Sequence, residues 1–168
     1  MSFILPAGLR TFFGFDERGR PFSRSSQPRR EAAPKFIMFD AYYCCLLLGL
    51  DTSQLGEAEG LEDAPFLNGY PENYKSQAEL LAGLLVEAEL RRLEIGQDHR
   101  DDIEREMVRL LDLVSPTRLS DDGDKLLNRY AVTGFQRLQV GMLQPDNLED
   151  FLVGYHGLWG EDGATDAP

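Results

Sequence analysis

Between residues 34 and 160 the apolar positions recur at helical spacing in five separate segments. The first is opened by Pro34 and closed by Gly49, and the stretch between them, KFIMFDAYYCCLLL, is apolar on nearly every side. A helix without a polar face belongs at the centre of a bundle. Asp40 is its exception, a carboxylate expected on the one face that reaches solvent or a bound neighbour. The second segment starts with an S-x-x-E capping box, Ser76 and Glu79, and runs through Leu81, Leu84, Leu85 and Ala88 to Gly96. The third begins near Asp98 and is expected to turn Ile103, Met107, Leu110, Leu111 and Val114 inward, with an Asp101–Arg105 pair on its outside.

Ser120 caps the fourth segment, with Asp121 and Asp122 in its first turn. Its inward stripe is Leu127, Tyr130, Ala131, Gly134, Phe135 and Leu138. A glycine inside a long helix costs about 1 kcal/mol relative to alanine, so Gly134 signals a close helix crossing where no side chain fits. Asp146 and Glu149 start the fifth segment, which presents Leu148, Phe151, Leu152, Tyr155 and Trp159. Short connections between five helices predict an all-α, antiparallel bundle. Residues 51–71 interrupt that pattern with five acids and no base, and predict either one helical turn or a loop.

The chain ahead of the bundle is patterned differently. TFFGF, DERG and RPFS read as an extended arm or small β-hairpin, with Gly19 in the left-handed conformation and Pro21 on an unpaired edge. SRSSQPRREAAP follows as a polar linker. The organisation is therefore an arm and linker over residues 1–33, a helical domain over 34–160 and a loose tail over 161–168.

Charge sharpens this division. The 168-residue chain carries a net charge of −12, a field that repels phosphate backbones and anionic membranes. Residues 1–35 nevertheless hold seven bases against Asp16, Glu17 and Glu31, a net of +4, which leaves −16 for the remainder. Five of the ten phenylalanines (Phe3, Phe12, Phe13, Phe15 and Phe22) fall in the same arm. Aromatic and arginine side chains dominate protein–protein hot spots, so Phe12, Phe13, Phe15, Arg18, Arg20, Phe22, Arg29 and Arg30 are the candidate partner-binding residues. The competing account is that the rings cover one end of their own bundle.

Candidate chemistry does not survive comparison with its structural requirements. GFDERGRP has the glycine spacing of a phosphate loop but lacks the lysine and Ser/Thr that contact phosphate and Mg²⁺. SDDGD would need a bidentate Glu at the twelfth position of a calcium loop, where Val132 or Thr133 stands. The residues three before His99 and His156 are Gly96 and Val153, so a bundle-type di-metal site is not expected. Nor do two histidines and the adjacent pair Cys44 and Cys45 provide a zinc shell. His99 reads as a helix-cap residue among carboxylates and His156 as a side chain favoured near a helix C-terminus. Neither a metal nor a cofactor is expected, and the chain reads as a non-enzyme.

Two thiols inside an apolar run suggest a reducing compartment. MSFILPAGL lacks a basic start and is broken by Pro6 and Gly8, and FIMFDAYYCCLLLGL, at 15 residues with Asp40 inside it, is too short to span a bilayer. The expected location is cytoplasmic. The leading functional expectation is an accessory or adaptor subunit whose arm docks another protein or a second copy of the chain. One alternative is an acidic inhibitor or immunity-type protein covering a basic site on its target. Another is a subunit that clamps single-stranded nucleic acid with its Arg/Phe arm, which the net charge disfavours.

Overall fold

Two glycines decide how the central pair of helices meets. In α2 (Met38–Thr52), a Cβ added at Gly49 would stand 1.8 Å from the Tyr130 carbonyl oxygen. In α5 (Asp121–Gly141), a Cβ at Gly134 would stand 1.6 Å from the Cys45 carbonyl oxygen. The two backbones therefore touch directly, and the crossing anticipated from Gly134 lies on the nearly all-apolar α2. This pair makes the most extensive helix–helix interface among the described residues.

The computed structural model describes residues 2–24 and 35–160, which form an all-α bundle. The remaining α-helices are α1 (Leu9–Phe12), α3 (Ala78–Arg92), α4 (Arg100–Leu110) and α6 (Leu148–Gly160), with 3₁₀ turns at Ala58–Gly60 and Glu72–Gln77. No helix is long and apolar enough to cross a membrane among the described residues.

Local capping follows the sequence in part. Ser120 caps α5, its Oγ accepting from the Gly123 N–H at 3.1 Å while donating to the Arg109 carbonyl at 2.6 Å. Asp40 serves the start of α2: its carboxylate accepts from the Ile37 N–H at 2.6 Å and from the Tyr74 hydroxyl. Ser76 does not cap α3. It lies inside the preceding 3₁₀ turn, and the chain passes from that turn into the helix without a side-chain cap.

Two outer helices pack less than their periodicity suggests. Leu110 is the buried residue of α4, whereas Met107 and Val114 are exposed. The helix ends at Leu110 because the chain doubles back there: Ser120 N–H donates to Leu110 O at 2.9 Å and Asp112 N–H to Arg118 O at 3.1 Å. That reversal throws Val114 outward. Arg105 pairs with Asp102 at 2.6 Å in place of Asp101. On α6, Phe151 and Leu158 are buried, but Leu152 and Trp159 are exposed.

The arm and the acidic 51–71 segment complete each other. Phe3 N–H donates to Leu67 O, Ala7 N–H to Gly60 O, and Glu62 N–H to Leu5 O, all at 2.8 Å. The Arg10 guanidinium meets the Glu62 carboxylate at 2.9 Å. Each segment thus satisfies backbone groups that the other's own turns leave open. Asn128 on α5 fastens the chain start, accepting from the Ile4 N–H and donating to the Ser2 carbonyl, each at 3.0 Å. In the same way Glu89, fully buried on α3, gathers Arg92 at 2.8 Å, Arg109 at 3.2 Å and the Tyr130 hydroxyl at 2.7 Å. Burial pushes its carboxyl up, but the hydrogen bonds from Arg92 and Tyr130 and the two guanidinium charges outweigh that and hold it below the usual range.

Candidate functional site

Where the sequence suggests a hairpin, the arm makes one helical turn followed by a looped tip. α1 places Phe12 and Phe13 on the core side, and both are buried. Phe12 meets Phe135 of α5 edge-on at 5.6 Å, and Phe13 meets Phe151 of α6 at 5.0 Å. The chain then leaves the helix, turns at residues 16–19 and returns so that Phe22 N–H donates to Phe13 O at 2.8 Å. No strand forms among the described residues: the chain over Leu9–Phe12 is a helical turn, and the Phe13 and Gly14 carbonyls accept from the Phe22 and Ser23 N–H groups of the returning chain.

Asp16 organises the tip. Its carboxylate accepts from the Arg18 and Arg20 N–H groups at 3.0 and 2.9 Å and from the Arg20 Nε at 2.7 Å. The backbone hydrogen bond from Arg20 is the main reason its carboxyl titrates below the usual range. Phe22 sits at φ +55°, a left-handed conformation that costs a non-glycine residue of order 1–3 kcal/mol. It is held there by ring packing: Phe22 and Phe15 lie 5.6 and 6.5 Å from Phe36, which in turn contacts Phe13 and Phe151.

The arm is thus joined to the α5–α6 corner by more than the Phe13–Phe151 contact. Arg24 donates to the carbonyls of Thr11, Phe12 and Pro145, the last two at 2.9 and 3.3 Å. Of the candidate partner-binding residues, Phe12 and Phe13 are interior, Phe15 and Phe22 half-buried, and Arg18 and Arg20 exposed. Arg29 and Arg30 lie outside the described residues.

The side chains most available to a partner lie elsewhere; the periodicity reading counted Val114, Leu152 and Trp159 with the core-facing stripes and passed over the others. At the α5–α6 corner Val140 and Leu143 are each 90 % exposed, and on α6 Val153 is 71 % exposed beside Leu152 and Trp159. At the opposite end of α5, the loop after α4 presents Leu113 at 78 % and Val114 at 92 % exposure, and Val108 in the last turn of α4 is also exposed. This loop is held rigidly: Asp112 accepts from the Val114 N–H at 2.9 Å, and Thr117 donates to buried Asp124 at 3.1 Å. The available signal was the surplus. Once one stripe of α6 is assigned to Phe151, Tyr155 and Leu158, its remaining apolar residues have no place inside.

Cys45 is buried, and burial, reinforced by the Asp40 charge, pushes the Cys44 thiol up to about 12. His99 and His156 are both exposed, at the N-cap of α4 and on the outside of α6. No three His, Cys, Asp or Glu side chains stand close enough to hold a metal ion among the described residues. Two surface cavities, of about 470 and 370 Å³, are lined by the Arg109–Asp124 region and by Lys35, Asp40, Asn73 and Tyr74. No protein family, curated protein or solved structure matches the chain.

Proposed function

We propose that the protein is a non-enzymatic accessory or adaptor subunit that works through protein–protein contacts in the cytoplasm. The observation that supports this reading is the distribution of exposed apolar side chains. Six of them lie toward the two ends of α5, Leu113 and Val114 at one and Val140, Leu143, Leu152 and Val153 at the other, while Leu80, Leu93, Met107 and Val108 are exposed on and beside α3 and α4. Isolated exposed aliphatic residues are ordinary, but groups of them mark contact surfaces. A helix of 21 residues spans about 30 Å, enough to keep two partners apart on one rigid element.

The arm adds to the α6 end. Phe12 and Phe13 anchor it, while Phe15, Arg18, Arg20 and Phe22 form its outward part beside the corner that Arg24 and Phe151 close. Two free cysteines whose thiolates burial disfavours suit a reducing compartment.

The test is site-specific photocrosslinking in the native source, with a photoreactive residue replacing Leu113 or Val153 one at a time. Discrete protein adducts from both positions are expected. An absence of adducts from both, with the protein folded, would refute the adaptor reading.

A further inference from the structure

We propose that Asn68 is a self-modification site, where the backbone nitrogen of Gly69 displaces the side-chain amide as ammonia and the product loosens the arm from the bundle. The inference is independent of the adaptor reading. Asn68 lies in the bend that follows Leu67 and is exposed. Among the described residues no hydrogen bond engages its side chain or the Gly69 N–H. A Cβ added at Gly69 would meet nothing within 4 Å, so neither a side chain nor a neighbour shields the nitrogen that must attack. The other asparagines lack this combination. Asn73 is followed by the Tyr74 side chain, and Asn128 is buried and bonded to Ile4 and Ser2. Asn147 accepts from the Asp150 N–H at 2.9 Å, and its amide donates to the Asp150 carboxylate at 2.7 Å. Asp122–Gly123 could close the same ring by losing water, but Gly123 is inside α5 and its N–H donates to Ser120 Oγ at 3.1 Å.

The reaction needs only water. The Gly69 N–H gives its proton to hydroxide, and the nitrogen attacks Cγ of Asn68. The bond from Cγ to the amide nitrogen breaks, that nitrogen takes up a proton from water and leaves as ammonia, and a succinimide ring remains. Water then adds at either ring carbonyl, and the bond from that carbon to the Gly69 nitrogen breaks. Opening at Cγ leaves an aspartate in an unchanged backbone. Opening at the Asn68 carbonyl carbon leaves isoaspartate, whose backbone runs through Cγ and is longer by a methylene. Nothing is oxidised or reduced. The added methylene falls between two contacts that hold the arm. Before it, the Leu67 carbonyl accepts from the Phe3 N–H at 2.8 Å, and the Phe66 N–H donates to the Phe3 carbonyl at 3.0 Å. After it, the buried Tyr70 ring lies 4.9 Å from that of Phe3 and 5.9 Å from that of Phe39. The Tyr70 hydroxyl has no hydrogen-bond partner among the described residues, so ring packing is what fixes this side chain. A longer backbone cannot keep both contacts in register, and Phe3 loses one of them.

The test ages the full chain at mildly alkaline pH and follows each asparagine by peptide mapping and mass spectrometry. Asn68 should convert several-fold faster than Asn73, Asn128 and Asn147, at a rate close to that of the chain unfolded in guanidinium chloride. Gly69→Ala should slow the conversion several-fold and leave the urea midpoint of the fresh protein unchanged, because the methyl group has room. The converted protein should unfold at lower urea, with faster hydrogen exchange at the Phe3 amide. Asn68→Asp adds the charge without the methylene and should show neither effect. Conversion at Asn68 no faster than at Asn73, or far slower in the folded than in the unfolded chain, would overturn the site. An unchanged midpoint after conversion, or an equal drop in fresh Asn68→Asp, would overturn the loosening of the arm.

Discussion

Replacing Gly134 with alanine sets two physical effects against each other, and the structure says which wins. Helix propensity alone favours the change by about 1 kcal/mol, since alanine restricts the unfolded chain and suits a helix interior. The new Cβ, however, would stand 1.6 Å from the Cys45 carbonyl oxygen, 2.6 Å from its carbon and 2.7 Å from the Gly49 nitrogen. All three are backbone atoms, so no rotamer change relieves the clash. Ordinary contact begins near 3.4 Å, which requires α2 and α5 to part by close to 2 Å. A gap of even 0.5–1 Å forfeits about a quarter to a half of each dispersion contact across it. This interface is the most extensive helix–helix contact among the described residues, so the cost belongs at the upper end of the ~1–3 kcal/mol typical of overpacking or beyond it.

The net expectation is a loss of about 2 kcal/mol or more, which lowers the melting temperature by roughly 4–8 °C for a protein of this size. Gly83 supplies the matched control. It lies in α3, exposed, and a Cβ there meets nothing within 4 Å. Gly83→Ala should stabilise by about 0.5–1 kcal/mol through propensity alone. Thermal and urea unfolding followed by circular dichroism would measure both. If Gly134→Ala raises the midpoint as Gly83→Ala does, the direct α2–α5 backbone contact is wrong.

Other parts of the structure yield their own outcomes. Phe13→Ala should cost about 3–5 kcal/mol by urea unfolding, because its ring is fully buried between α6 and Phe36. A loss under 1 kcal/mol would mean that the arm does not pack on its own bundle. Burial, opposed by the Thr117 hydrogen bond, pushes the Asp124 carboxyl up to about 6 from an unfolded value near 3.8. The folded state therefore binds this proton more tightly, so the group's stabilisation is greatest below about pH 4 and is lost as pH rises through 6. At about 1.4 kcal/mol per unit, the stability of wild type relative to Asp124→Asn should fall by about 2–3 kcal/mol from pH 4 to pH 7 in urea titrations. A flat difference would refute the shift. Finally, alkylation of Cys44 at pH 8 should be roughly 10²–10³ times slower in the folded protein than in urea, since its thiolate is suppressed. Equal rates would contradict its burial.

Much of the bundle is written in local sequence. Ser120 and the stripe from Leu127 to Leu138 define α5 because a side-chain cap and a 3.6-residue period act within one helix. Gly134 likewise announces a close crossing, since an interior glycine is costly without one. What the sequence leaves open is decided by contacts between distant segments. Residues 2–10 and the acidic 51–71 segment look like two unrelated loops, yet each supplies the hydrogen bonds and counter-charge that the other lacks. The choice between a docking arm and a self-covering one turns on whether Phe135, Phe36 and Phe151 offer Phe12 and Phe13 a cavity, which only their assembly creates. Equally, periodicity sorts Leu152, Trp159, Met107 and Val114 as core-like because it measures spacing alone. Their exposure depends on where α4 stops and which stripe of α6 the bundle can cover, and both are properties of the packed molecule.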